Sequence, residues 1–185
     1  MTLTPITPKK AINKAYLKER INRADMEQFK THFKLLLDRI KAVDNESEEN
    51  RKNNVADFLK STHYAPFRGN PLGQYEINTK GREDLVIHLG KTAKDNVGVL
   101  FEIKKPDSTE MMSAAKPNAK ALQQLVFYYL RERIEHKNLD IKHLIVTDIY
   151  NWYIFDENLF DKYIYRNPKL KKRPPQYPRQ TWRRR

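Results

Sequence analysis

The run Val97–Lys104, VGVLFEIK, restricts the fold more than any other stretch of this chain. It stays apolar from Val97 to Phe101 and only then meets the charged pair Glu102 and Lys104. A short segment without a polar face reads as a strand covered on both sides, at the centre of a sheet rather than its edge. Alternate side chains of a strand point the same way, so Glu102 and Lys104 project together from one face. Charged groups are disfavoured on such a strand unless they are paired or functional.

The flanking sequence supplies the rest of an α/β unit. Lys9 to Val43 reads as helix, with Phe29, Phe33, Leu36, Leu37 and Ile40 at steps of three and four. After the polar run Asp44–Asn50, a shorter helix carries Val55, Phe58 and Leu59 until Ser61 and Pro66 end it. The loop Phe67–Gln74 contains two glycines and a proline, and turns the chain toward strands. These are expected at Tyr75–Ile77, Asp84–Leu89 and Val97–Lys104, the last two joined as a hairpin through Lys91–Asn96. A helix from about Pro117 to Lys137 follows, with Leu122, Leu125, Val126, Tyr129 and Leu130 on one stripe. Strands return at Lys142–Thr147 and Trp152–Phe155, so the order is α, β, β, β, α, β, β around a mixed central sheet flanked by helices. Three segments are expected: an N-terminal helical extension (1–44), a core (45–165) and a basic, proline-rich tail (166–185). The tail has nine basic residues and no acidic one. It has too little apolar surface to offset ordering entropy and reads as disordered.

Composition narrows the chemistry. Zero cysteines exclude disulfides, thiolate catalysis and cysteine-ligated zinc, and the five histidines form no metal-binding spacing. Any metal must then be held by oxygen, which favours Mg²⁺, with Mn²⁺ able to substitute. No run of 18 apolar residues and no apolar leader occurs, so neither a membrane partner nor export is expected, and the location expected is cytoplasmic. The net charge of +13 points to a polyanionic partner such as DNA. The tail carries most of it and leaves about +4 for everything before it.

Register arithmetic gathers a site. If the hairpin turns between Ala93 and Lys94, residues whose numbers sum to about 187 lie opposite each other, which brings Asp84 level with positions 102–104. Two carboxylates and a lysine suit phosphodiester hydrolysis. The acids would hold a divalent ion that polarises the phosphate and acidifies bound water, and the lysine would orient that water or neutralise developing charge. Asp84 and Glu102 are therefore the expected metal ligands, the backbone carbonyl of Ile103 a further one, and Lys104 completes the set.

The arrangement Gly81-Arg-Glu-Asp84-Leu-Val-Ile followed by Phe101-Glu102-Ile-Lys104-Lys-Pro resembles the signature of the PD-(D/E)XK nucleases, with Glu83 before the Asp where some members have Pro. Gln124-Leu-Val-Phe-Tyr128 resembles the QxxxY element of the RecB-like branch, where such residues lie near the scissile phosphate. Glu48 or Glu49 is similar to the acid that many members place on the helix before the sheet, in contact with metal directly or through water. Covering about Glu46 to Phe155, the resemblance implies a restriction-endonuclease-like α-β-β-β-α-β core. It is greatest to the N-terminal nuclease domain of fused Type IIG restriction-modification enzymes, and implies a Mg²⁺-dependent DNA endonuclease of a restriction or phage-defence system. This chain carries no N-P-P-[YF] tetrapeptide and no glycine-rich S-adenosylmethionine loop among its five glycines. Methyltransferase and specificity regions would be supplied elsewhere, and cutting both strands implies a transient homodimer on DNA.

Each signal has a plainer reading. An isolated acid…Glu-x-Lys is common, and on that view Glu102 and Lys104 form only an ion pair in a noncatalytic DNA-binding or assembly module. Gln124 and Tyr128 could be ordinary helix-face residues, with Gln123 the close competitor. Glu48 and Glu49 suit a helix start electrostatically. His88 reads as a packed, hydrogen-bonded histidine. Lys80, Arg82 and Lys105 flank the site and are candidate DNA contacts. A RecB-like exonuclease or RNA nuclease is the remaining enzymatic alternative.

Overall fold

A computed structural model describes residues 4–12, 14, 18, 20–42, 47–64, 75–80 and 83–172; at 48, 63, 64, 80, 83, 84, 171 and 172 it describes the backbone alone. In chain order the α-helices and strands are α1 (Pro8–Ala11), α2 (Arg23–Ala42), α3 (Glu48–Leu59), β1 (Ile77–Lys80), β2 (Glu83–His88), β3 (Val97–Ile103), α4 (Lys120–Ile134), β4 (His143–Thr147), β5 (Trp152–Asp156), α5 (Glu157–Phe160) and α6 (Pro168–Lys172), with π-helical turns at Lys60–Tyr64 and Asp161–Tyr165 continuing α3 and α5. The long N-terminal helix expected from Lys9 is divided: α1 ends with Ala11, and α2 begins only at Arg23. Asn22 caps that start, its side-chain oxygen accepting from the Asp25 N–H at 2.8 Å. Ser47 does the same for α3, accepting from the Asn50 N–H at 3.1 Å. α4 starts three residues beyond Pro117.

The five strands form one mixed sheet in sequence order, β1-β2-β3-β4-β5. β1, β2 and β3 run antiparallel, β3 and β4 parallel, and β4 and β5 antiparallel. Only the β3–β4 connection must cross the sheet, and α4 lies in it, as a parallel pair requires. Paired residues of β2 and β3 sum to 186 (Leu85 with Phe101, Val86 with Leu100), one less than expected, and a bulge then sets His88 against Val97. The turn itself is therefore centred one residue earlier than expected, and the extra β3 residue at the bulge shifts the ladder beyond it.

Alternation divides the core into two layers. Val86, Leu100, Leu144 and Val146 face α4, where they bury Leu125, Tyr128 and Tyr129. Leu85, Ile87, Phe101 and Ile103 face α2 and α3, against Leu36, Ile40, Val55 and Phe58. Phe29, Phe33 and Phe58 join the latter two helices, with ring centroids 5.6–5.8 Å apart. The segment from Arg166, expected as a disordered tail, continues through α6 to Lys172. Among the described residues, no helix is long and apolar enough to cross a membrane.

Candidate functional site

β3 is covered by helices on both faces, yet Glu102 lies on it fully buried, two residues beyond Leu100 and therefore on the α4 side. Lys104, 6% exposed, follows where the strand ends, its Nζ 2.6 Å from Glu102 Oε1. Its backbone N–H still donates to the Thr147 carbonyl at 2.8 Å, so the β3–β4 ladder fixes the base of the side chain. Ile103, between them, turns into the opposite core layer. The expected same-face projection of Glu102 and Lys104 is thus what the strand produces.

The register of β2 continues one step from Leu85 and Phe101 to set the backbone of Asp84 across from Glu102. The side chains of Asp84 and Lys80 and the whole of Arg82 lie outside the described residues, as does the side chain of Glu48. Glu49 is not brought to the cluster. Its carboxylate is 64% exposed and lies 3.9 Å from Lys52, on the solvent side of α3.

A residue missed in the sequence extends the site toward α4. Glu110, in the loop after β3, lies 3.6 Å from Lys104 Nζ and also accepts a hydrogen bond from Lys120 at the start of α4. The Lys120 hydrogen bond, and then the charge of Lys104, hold its carboxyl below the ordinary carboxylate range. Gln124 lies one helical turn beyond Lys120, half-buried, and its Oε1 is buried with no hydrogen-bond partner among the described residues. Gln123, its competitor, is exposed and donates to Asn118 at 3.0 Å. Tyr128, one turn further, is 4% exposed in the α4 core layer.

Where β3 ends, Arg51, Lys104, Lys105, Asp107, Ser108, Thr109 and Glu110 line an open cleft of about 370 Å³. Asp107 has φ of 59°, the left-handed region that Asp tolerates better than most residues, as the chain turns back toward Glu110. Arg51 reaches the cleft from α3. Its one-turn spacing from the apolar Val55 is the sequence signal for that inward position. His88 takes no part: 1% exposed, its ring nitrogens lie 2.7 Å from the Asp95 carbonyl and 3.2 Å from Asn78 Oδ1.

The oxygens that β3 and α4 contribute on this side are the Glu102 carboxylate, the Ile103 carbonyl and the buried Gln124 Oε1. This set fits a hard divalent cation, and an orphaned buried oxygen is a group such a site or its waters would satisfy. Among the described residues no three acidic or imidazole side chains converge, the carboxylate of Asp84 not being among them.

No curated protein and no solved structure matches the chain. Residues 6–180 match a family described as a domain of unknown function, DUF7149, and the chain belongs to that family.

Proposed function

We propose that this chain is a Mg²⁺-dependent DNA endonuclease on a restriction-endonuclease-like core, the cleavage module of a restriction or phage-defence system. The observation that carries the reading is the buried Glu102–Lys104 pair where the central strand β3 opens into a cleft. A carboxylate at 0% exposure is costly to desolvate, and retaining one at the end of an apolar strand favours function over packing. The order α3-β1-β2-β3-α4-β4 agrees with the α-β-β-β-α-β core that the resemblance implies.

Asp84, Glu102 and the carbonyl of Ile103 would hold Mg²⁺, which when bound supplies a polarising charge and a water of lowered pKa. The other groups belong to the protein alone. Lys104, anchored through its backbone, presents an ammonium that neutralises charge developing on a phosphate. Glu110 holds Lys104 from the loop side, so the ammonium is fixed between two carboxylates. Gln124 offers its carbonyl oxygen to a water or a strand hydroxyl. Transient pairing of two copies on DNA would supply the second cut.

The test is cleavage of supercoiled plasmid and linear single-stranded DNA with Mg²⁺, Mn²⁺ or EDTA, comparing the chain with Lys104→Ala. Nicking that requires metal and disappears in the variant is the expected result. Cleavage only of free ends or of RNA would move the assignment to an exonuclease or RNA nuclease. A second reading draws on the 2.6 Å Glu102–Lys104 contact itself: a closed ion pair in a noncatalytic DNA-binding module. It predicts DNA retardation without cutting under any of these conditions.

A further inference from the structure

α3 turns one stripe inward, and Val55, Ala56 and Phe58 on it are 0%, 8% and 8% exposed. One turn before Val55 the stripe reaches Arg51, which is also only 8% exposed. A helix burying apolar residues has no packing reason to place a guanidinium there, and burial without an anion is costly. Every other charged side chain buried to this degree in the neighbourhood is paired: Glu102 with Lys104, and Lys104 also with Glu110. Arg51 makes no ion pair and no side-chain hydrogen bond among the described residues. It lines the cleft at the end of β3 with Lys105, the hydroxyls of Ser108 and Thr109, the exposed Asp107, and the already paired Lys104 and Glu110. The acidic residue nearest Lys104 across the loop, Glu110, is already engaged by two lysines.

We infer that Arg51 is the phosphate anchor of this cleft: a positioning residue whose guanidinium binds a backbone phosphate of a DNA strand laid over the end of β3. The inference rests on the nuclease reading for the identity of the polyanion, but not for the anion site itself. A planar guanidinium donates two parallel hydrogen bonds to phosphate oxygens, so the site fixes a strand's orientation as well as its charge. Lys105 and the two hydroxyls line the same cleft and can donate to neighbouring phosphate oxygens, and none of these groups reads a base.

The test compares the full chain with Arg51→Gln, Arg51→Lys and Arg51→Met, by fluorescence anisotropy on a labelled 20-base-pair duplex in EDTA across a salt series, with thermal unfolding alongside. Loss of one phosphate contact is expected to weaken binding by about tenfold at moderate salt in Arg51→Gln. It also reduces the slope of log affinity against log salt by roughly one. Arg51→Lys should keep most of the slope. With no polyanion present, Arg51→Met should unfold at the same temperature as the parent or higher, because a buried cation with no partner among the described residues gives way to an apolar side chain.

Unchanged affinity and slope in a folded Arg51→Gln overturns the inference. So does marked destabilisation of Arg51→Met, which would assign the arginine to the structure. Binding that depends on Arg51 in a protein that never cuts would retain the anchor and sink the nuclease. Metal-dependent cutting indifferent to Arg51 would do the reverse.

Discussion

At the scale of single residues, the outcome turns on how each charge is enclosed. Lys104 and Glu102 are both buried, so deleting Lys104 removes the cation that faces a fully buried carboxylate. Lys104→Ala is expected to cost about 3–5 kcal/mol of stability, read from urea unfolding, while Glu102→Gln with Lys104→Met recovers most of that loss without restoring cleavage. A full loss in the double variant would mean that the pair is held by more than its mutual charge. Glu110 behaves differently because it is partly open to solvent. Its carboxyl titrates below its ordinary 4.5 in the folded chain, so its contribution is present above that value and fades as pH falls through the lowered one. In Lys120→Met the Glu110 carboxyl resonance should titrate nearer 4.5, since its largest stabilising contact is gone. The same burial argument separates Gln124 from Gln123, which sequence alone left close: the two differ by about 100° around α4, and only one turns its oxygen inward.

At the scale of elements, α4 joins the sheet to the segments beyond it. Tyr129 donates to Glu157 at 2.8 Å, and Arg133, one turn on, meets Asp161 at 2.9 Å. Burial, and then the Glu157 carboxylate, push the Tyr129 phenol well above its ordinary range, so it remains a donor at any working pH. Tyr129→Phe should therefore lower stability by about 1–3 kcal/mol in thermal unfolding, independent of pH between 6 and 9. A pH-dependent loss in that window would show that the phenol ionises. The strands were legible because Val97–Phe101 and Leu144–Val146 are apolar runs bounded by polar turns. The long N-terminal helix was legible only in part, since periodicity continues across Ile12–Asn22 without saying where a cap stops it. The offset in the β2–β3 register has a local cause as well: the turn is centred one residue earlier than expected, setting His88 against Val97, and the bulge beyond it recovers half of the difference.

At the scale of the whole molecule, positive charge is concentrated in the C-terminal stretch. Residues 173–185 contain five arginines and no acid, so ending the chain after Lys172 should reduce DNA affinity and its salt dependence. The same truncation should leave metal-dependent nicking of plasmid in place at high enzyme concentration. Cutting lost at every concentration would assign the stretch to the catalytic assembly.

The sequence by itself determined the order of the five strands and of the helices α3 and α4 around them, the one-sided projection of Glu102 and Lys104, and the preference for oxygen ligands, because these follow from the periods of strand and helix and from residue chemistry. Only the tertiary structure decided that Glu110 and Lys120 join Lys104, that Glu49 faces solvent, and that Arg51 enters the cleft. Those outcomes depend on how the loop after β3 folds back and on the rotation of α3 over the sheet. The first is set by ion pairs across the loop between β3 and α4 and the second by packing of α3 on the distant strand β3, and no local pattern records either.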